Sequence, residues 1–345
     1  MKNGQTPWPM PFQVFQRDHR ESGTIPLPAD GTRVRLLKGK KVVIPWQKSS
    51  GKLKNVPVGG PYTLEREVPQ GAVHRIPSLL VGDLWILAGQ SNMDGCGKLR
   101  DLEPPSSLVH CFYYNEQWGI ARDPICRLID SIDPVHWPQE ISDLEKARQE
   151  DHKFREIGAS LGVTFGKTLV KAVGVPIGLI VCSHSGTSIE QWDPALKSEG
   201  GRSLYGSMLR RVQVCGGRVT GCLWYQGESN ALPGVSQTYK EKMRSFIESL
   251  RTDLGSPSLP FLQVQISKFY GMPEPFTFDD WNQVQQVQLE LAQEMKNVGI
   301  VAAIDGVLDD IIHLDTRSLK VVGKRLATLA ADMVYNRTTR NGLMP

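Results

Sequence analysis

Leu84-Trp85-Ile86-Leu87-Ala88-Gly89-Gln90-Ser91-Asn92-Met93 is the stretch whose reading decides the fold. Five apolar residues end in a glycine, and a serine follows in a polar turn. An uninterrupted apolar run of this length reads as a strand buried on both faces. The hydroxyl of Ser91 is therefore expected at the carboxyl end of that strand. In an open α/β sheet this is the edge where ligand clefts form.

Similar runs recur outward from this one, at residues 177–182, 221–225, 261–266 and 300–304. Helical patterns lie between and after them. Tyr239, Met243, Phe246, Ile247 and Leu250 are spaced for one helix face, and Leu319, Val322, Leu326, Leu329 and Met333 for another. Strands alternating with helices predict an α/β fold with a mostly parallel sheet covered on both faces. Residues 1–78 lack helical periodicity and are rich in glycine, proline and short apolar runs such as Val42-Val43-Ile44. They are expected to form a small N-terminal β-rich segment, with the main domain over 79–345. Residues 98–150 break the rhythm, with Pro104-Pro105 and a charged tail, and read as a long insertion shaping one wall of the cleft.

The totals exclude several classes. The chain has 345 residues, 40% hydrophobic and 22% charged, as in an ordinary globular protein. No window approaches a membrane span, so a membrane is not an expected partner. Residues 1–11 hold no apolar signal core, which fits a cytoplasmic protein or the mature form of an exported one. Net charge is +4, and the basic residues bunch at Arg33, Arg35, Lys38, Lys40, Lys41, Lys48, Lys52 and Lys54. These read as a solvated hairpin surface or as a patch for acidic polysaccharide. Nucleic acid is not expected, because aromatic residues are not interleaved with them. The six cysteines form no C-x-x-C pair and no zinc-spaced cluster, so neither metal nor cofactor is expected. Cys182 and Cys222 sit in apolar runs and read as small core residues.

A serine hydroxyl is a weak nucleophile until a base takes its proton, and the base works best when a carboxylate fixes its tautomer. Asp310 and His313, three residues apart near the far end of the chain, offer such a pair. Two further segments end strands at the same edge. One is Ser183-His184-Ser185-Gly186-Thr187-Ser188, the other Gln226-Gly227-Glu228-Ser229-Asn230. Acyl transfer needs hydrogen-bond donors aimed at an oxyanion. The backbone N–H of Gly186 and the side-chain amide of Gln226 are candidates.

Taken in order, these segments resemble the blocks of the SGNH hydrolase superfamily, in particular its sialate O-acetylesterase-like branch of carbohydrate acetylesterases. Val81-Gly82-Asp83-Leu84-Trp85 with Gly89-Gln90-Ser91-Asn92-Met93 is similar to that branch's nucleophile block. Gly186-Thr187-Ser188-Ile189-Glu190-Gln191-Trp192 is similar to the second block. Trp224-Tyr225-Gln226-Gly227-Glu228-Ser229-Asn230 matches the third, and 310–313 the last. The resemblance covers roughly residues 79–335, and it implies an SGNH-type three-layer sandwich and a serine esterase working without a metal. It implies Ser91 as nucleophile, His313 as base and acid, and Asp310 as its orienting partner. The oxyanion donors it implies are the N–H of Ser91, the N–H of Gly186 and the amide of Gln226, with Asn230 as rival for the last. Asp309 competes with Asp310, although spacing favours Asp310. Gln90, Asn92, Asn230, His184 and Trp192 are expected to meet the substrate, an acetylated mono-, oligo- or polysaccharide. The sugar, the compartment and the oligomeric state stay open.

Three rival readings carry less. Gly158-Ala159-Ser160-Leu161-Gly162 fits a G-x-S-x-G elbow, but a charged run rather than an apolar strand precedes it. A glycosidase would need flanking carboxylates, and adjacent Asp309 and Asp310 diverge. The alternative from another class is a non-catalytic glycan-binding protein on an esterase scaffold.

Overall fold

The run around Trp85 is the second half of one long strand, β1 (Val73–Gly89). The computed structural model describes residues 7–18, 21–68, 71–138, 142–271 and 273–337. Parts of the expected chain start, insertion and domain ends therefore lie outside the described residues. Beside β1 stand β2 (Val109–Phe112), β3 (Ile177–Val181), β4 (Gly221–Tyr225), β5 (Phe261–Val264) and β6 (Val298–Val301). The order is β2-β3-β1-β4-β5-β6, and each neighbouring pair is parallel. A short antiparallel strand, Trp118–Ile120, adds to β2. The expected mostly parallel sheet is present.

Register shows that both faces are covered. Trp85 is level with Leu179 on one side and Gly221 on the other, so these point the same way. The Trp85 ring meets Phe165 of α1 (Gly162–Val173), with centroids 5.3 Å apart. Trp224 is level with Ala88, three residues beyond Trp85, and so faces oppositely. Its ring lies 4.7 Å from Phe246 of α2 (Tyr239–Asp253). α3 (Thr316–Tyr335) packs along α1. Helices, sheet and helices form the three layers. The strand residues from Leu84 to Ala88 are fully buried, each large side chain contributing roughly 1.5–3 kcal/mol.

The N-terminal β segment hangs on the same strand. Gly59–Glu67 pairs antiparallel with the first part of β1, and Arg33–Lys38 and Lys41–Lys48 extend that sheet. Its own small core gathers Leu36, Leu64, Ile76, Leu79 and Val81. Leu80 and Leu84 already belong to the main core, so β1 runs straight through the division expected after residue 78. Asp83, buried within this run, binds Arg17 Nε at 2.8 Å and accepts from the Tyr335 hydroxyl at 2.6 Å. It clamps the described ends of the chain onto β1.

Two expectations need correction. Residues 98–150 are not simply an insertion, because Val109–Phe112 enters the sheet with all four residues buried. Ser160 does follow a short strand, Ile157–Ala159, which pairs with Gly97–Lys98. Its buried hydroxyl donates to Asp123 Oδ1 at 2.7 Å, and among the described residues no histidine hydrogen-bonds to it. In the basic cluster, Arg33 and Arg35 pair with Glu67 and Glu65, while the lysines at 40, 41, 48, 52 and 54 are exposed.

Candidate active site

Parallel strands bring their carboxyl ends to one edge, and the loops after β1, β3, β4, β5 and β6 meet there. β1 ends at Gly89, whose φ of 132° and contact with β4 both require glycine. A Cβ there would stand 2.1 Å from the Tyr225 carbonyl oxygen. The chain then turns into a single helical turn, Ser91–Asp94, which lifts the Ser91 hydroxyl from the sheet.

The loop after β6 reaches back to it. His313 Nε2 is 2.9 Å from Ser91 Oγ, and His313 Nδ1 is 2.7 Å from Asp310 Oδ2. A carboxylate oxygen only accepts, so Nδ1 carries the proton and Nε2 keeps its lone pair for the serine hydroxyl. The other Asp310 oxygen accepts the N–H groups of Ile312 and His313, both at 2.8 Å. Burial alone would raise the Asp310 carboxyl. The hydrogen bonds from the His313 ring and from these two N–H groups outweigh it and hold the acid below its ordinary range. Asp309 turns instead toward Lys98 Nζ at 3.5 Å and Arg100 at 3.8 Å, which leaves Asp310 as the partner of the imidazole.

Asn92 fastens the two loops together. Its Oδ1 accepts the Leu314 N–H at 3.0 Å and its Nδ2 donates to Glu228 Oε1 at 2.9 Å. Glu228 is itself fully buried, and that burial raises its carboxyl. The expected substrate contact at Asn92 is thus a brace inside the protein.

Ser91 and His313 open into a cavity of about 310 Å³, lined also by Gln90, Gly186, Glu228 and Phe276. Gly186 has φ 71°, a conformation suited to glycine, and no atom stands within 4 Å of where a Cβ would be. Ser185 beside it donates to the buried carboxylate of Asp94. Burial raises Asp94 to about 6, with hydrogen bonds from Ser183 and Ser185 opposing the shift. Cys96 also lines the cavity, its thiol pushed up to about 12 chiefly by burial. Among the described residues no cluster could hold a metal ion, and no helix is long and apolar enough to cross a membrane.

Several expected residues stand elsewhere. Gln226 is fully buried, and its NH₂ is committed to the Thr187 carbonyl at 3.1 Å and Asn230 Oδ1 at 2.7 Å. Asn230 is committed too, accepting from the Ile189 N–H and donating to Glu190. Neither amide lines the cavity. Trp192 is a core residue, edge-on to Trp224 at 5.3 Å with its N–H on Thr187. His184 stacks on buried His136, their Nδ1 atoms 3.0 Å apart, and does not line the cavity. Among the described residues, the segment 98–150 contributes none to the lining. One wall comes instead from Phe276, in the loop after β5. Sequence reasoning passed over it, although the strand-end rule applied to the other loops points to that one as well.

The family described as carbohydrate esterase, sialic acid-specific acetylesterase, matches residues 81–332. The chain belongs to this family. It is therefore a carbohydrate esterase, a carboxylic ester hydrolase. This esterase is 31% identical over 262 residues to a probable carbohydrate esterase of Arabidopsis thaliana, covering 71% of this chain and 88% of that one. It is 28% identical over 201 residues to human sialate O-acetylesterase, covering 50% of this chain and 36% of the human protein. Its fold is similar to that of a carbohydrate acetylesterase from Xanthomonas citri, with TM-score 0.62, 22% identity and coverage of 96% and 76%. The X-ray structure of the Arabidopsis protein superimposes with TM-score 0.56 and 27% identity, covering 73% of this chain and 98% of that one.

Proposed function

We propose that this esterase removes acetyl groups from the hydroxyls of a carbohydrate by a serine mechanism with an acetyl-enzyme intermediate. The single observation carrying this reading is the chain of hydrogen bonds from Ser91 through His313 to Asp310. His313 Nε2 takes the proton as Ser91 Oγ bonds to the acetyl carbon, and the carbonyl electrons move onto oxygen. The backbone N–H groups of Ser91 and Gly186 face that oxygen. Collapse breaks the bond to the sugar oxygen, which receives the proton from His313. Water, deprotonated by His313, then attacks the acetyl-serine, and acetate leaves with the Ser91 hydroxyl restored.

Asp310 accepts from Nδ1 and favours the imidazolium that forms at each step. The cavity of about 310 Å³ accommodates an acetyl ester with part of its alcohol. Family membership supports acetyl esters of sugars, and sialate, xylan and pectin-type acetates are the substrates to compare. The test is acetate release from a panel of acetylated glycans, together with p-nitrophenyl acetate, by the parent and by Ser91→Ala. Loss of turnover in the variant is expected. Equal turnover in both would refute the serine mechanism, and no turnover in either would favour a glycan-binding protein.

A further inference from the structure

The cavity of about 310 Å³ has room for an acetyl ester and part of its alcohol, so the rest of a sugar must lie against the rim. Two loops supply one side of that rim, residues 265–277 after β5 and residues 302–315 after β6. They are joined beside the triad. The Tyr270 N–H donates to the Ile311 carbonyl at 2.9 Å, and Ile311 stands between Asp310 and His313. Ile312 of one loop and Phe276 of the other both line the cavity.

These loops also expose apolar surface. Of the fifteen exposed large apolar side chains among the described residues, Tyr270, Ile304, Val307 and Ile311 lie in them, and Phe278 directly follows the first. Single exposed apolar side chains are ordinary, but a concentration of them beside a reactive opening marks a surface that a ligand covers. Tyr270 is the one tied to the triad loop, and 59% of it is exposed. Lys268 Nζ lies over its ring, 5.8 Å from the centroid, which leaves the other face to solvent. The exposed carboxylates of Asp279, Asp305 and Asp310 interrupt the patch. A lipid surface would strip water from these charges, at a high cost. A pyranose suits the mixture, because it offers C–H groups to an aromatic face and hydroxyls to carboxylates.

We propose that Tyr270 is a sugar-binding platform at the mouth of the catalytic cavity. A pyranose of the acetylated glycan lays its C–H face on the open side of the Tyr270 ring while its acetyl group enters toward Ser91. The platform selects which acetylated alcohols reach the serine, and no bond is made or broken at Tyr270. This inference rests on the reading of the site as a carbohydrate acetylesterase.

The test compares the parent, Tyr270→Phe and Tyr270→Ala on acetylated xylo-oligosaccharides, O-acetylated sialic acid and acetylated oligogalacturonides. Ethyl acetate, whose alcohol is too small to reach the rim, is the reference ester. The readouts are kcat and KM on the glycan that the parent uses best, and the ratio of kcat/KM on that glycan to kcat/KM on ethyl acetate. Tyr270→Ala should lower this ratio about tenfold, through KM, with kcat on the glycan within about threefold. Tyr270→Phe keeps the ring and should stay within about threefold of the parent. Loss of folded protein slows both esters alike and leaves the ratio unmoved, so a structural role does not imitate the result. A ratio unchanged in Tyr270→Ala, or one that falls equally in Tyr270→Phe, overturns the platform. A parent dimer that Tyr270→Ala dissociates in sedimentation, with the ratio unchanged, would assign the patch to a second copy instead. A parent that hydrolyses ethyl acetate but none of the glycans overturns the carbohydrate reading itself, and this inference with it.

Discussion

Asp94→Asn should change the pH dependence of stability in a way that can be worked from its burial. Asp94 closes the turn that begins with Ser91, is buried, and holds the Ser185 hydroxyl next to Gly186. Its carboxyl rises from 3.8 to about 6, a difference of about two units, chiefly through desolvation. Between these values the folded chain keeps a proton that the unfolded chain has released. Stability therefore falls as pH rises through that window and is level above it. At 1.36 kcal/mol per unit the loss is about 3 kcal/mol. Asparagine cannot ionise and can still accept from Ser185. The stability of the variant minus that of the parent should thus climb by about 3 kcal/mol from about pH 3 to about pH 7. Asp123, also raised to about 6 by burial, is present in both proteins and cancels in the difference. Urea unfolding at intervals across this range measures it. A difference that stays flat, or that falls with rising pH, would refute the argument that a buried charge at residue 94 costs the native state.

Asp310→Asn should lower kcat by roughly 10⁴-fold, because an asparagine leaves the imidazole without its tautomer-fixing acceptor. Burial raises the Asp310 carboxyl, but its hydrogen bonds hold it lower still, so the parent rate should show no break from this acid above about pH 4. Gln226→Ala should act on stability, lowering the urea midpoint by the equivalent of about 1–3 kcal/mol for the partners left unpaired at Thr187 and Asn230. A rate loss as large as that expected for an oxyanion donor, in fully folded protein, would restore Gln226 to the site. Cys96, its thiol pushed up to about 12, should resist iodoacetamide at neutral pH despite lining the cavity. Rapid labelling of that residue, read by mass spectrometry, would contradict a thiol held protonated in this way.

The apolar runs were legible because a parallel sheet covered on both faces demands them, and each ended near where the structure ends its strand. Val109–Phe112 escaped notice because it is only four residues long and carries a histidine and a cysteine. The pairing of residues 91 and 313 was foreseeable from strand-end geometry together with the resemblance. What the chain alone does not reveal is the direction of a side chain in a turn. Gln226 follows a strand end as Ser91 nearly does, yet it points down among Thr187 and Asn230 while Gln90 lines the opening. Trp192 was misread for the same reason, since a short helical turn folds its ring inward onto Trp224. Such directions are set by contacts far along the sequence, and those emerge with the packed layers.

The continuity of Val73–Gly89 bears on how this protein can be cut and rebuilt. One rod of backbone serves as an outer rail of the small sheet and then as a central beam of the large one. The amino-terminal unit is consequently no cassette. Excising it would strip Leu79 and Val81 of their cover and leave a raw, unpaired margin a few residues upstream of the reactive turn, inviting self-association. Grafting partners for this enzyme should therefore be joined outside the shared rod.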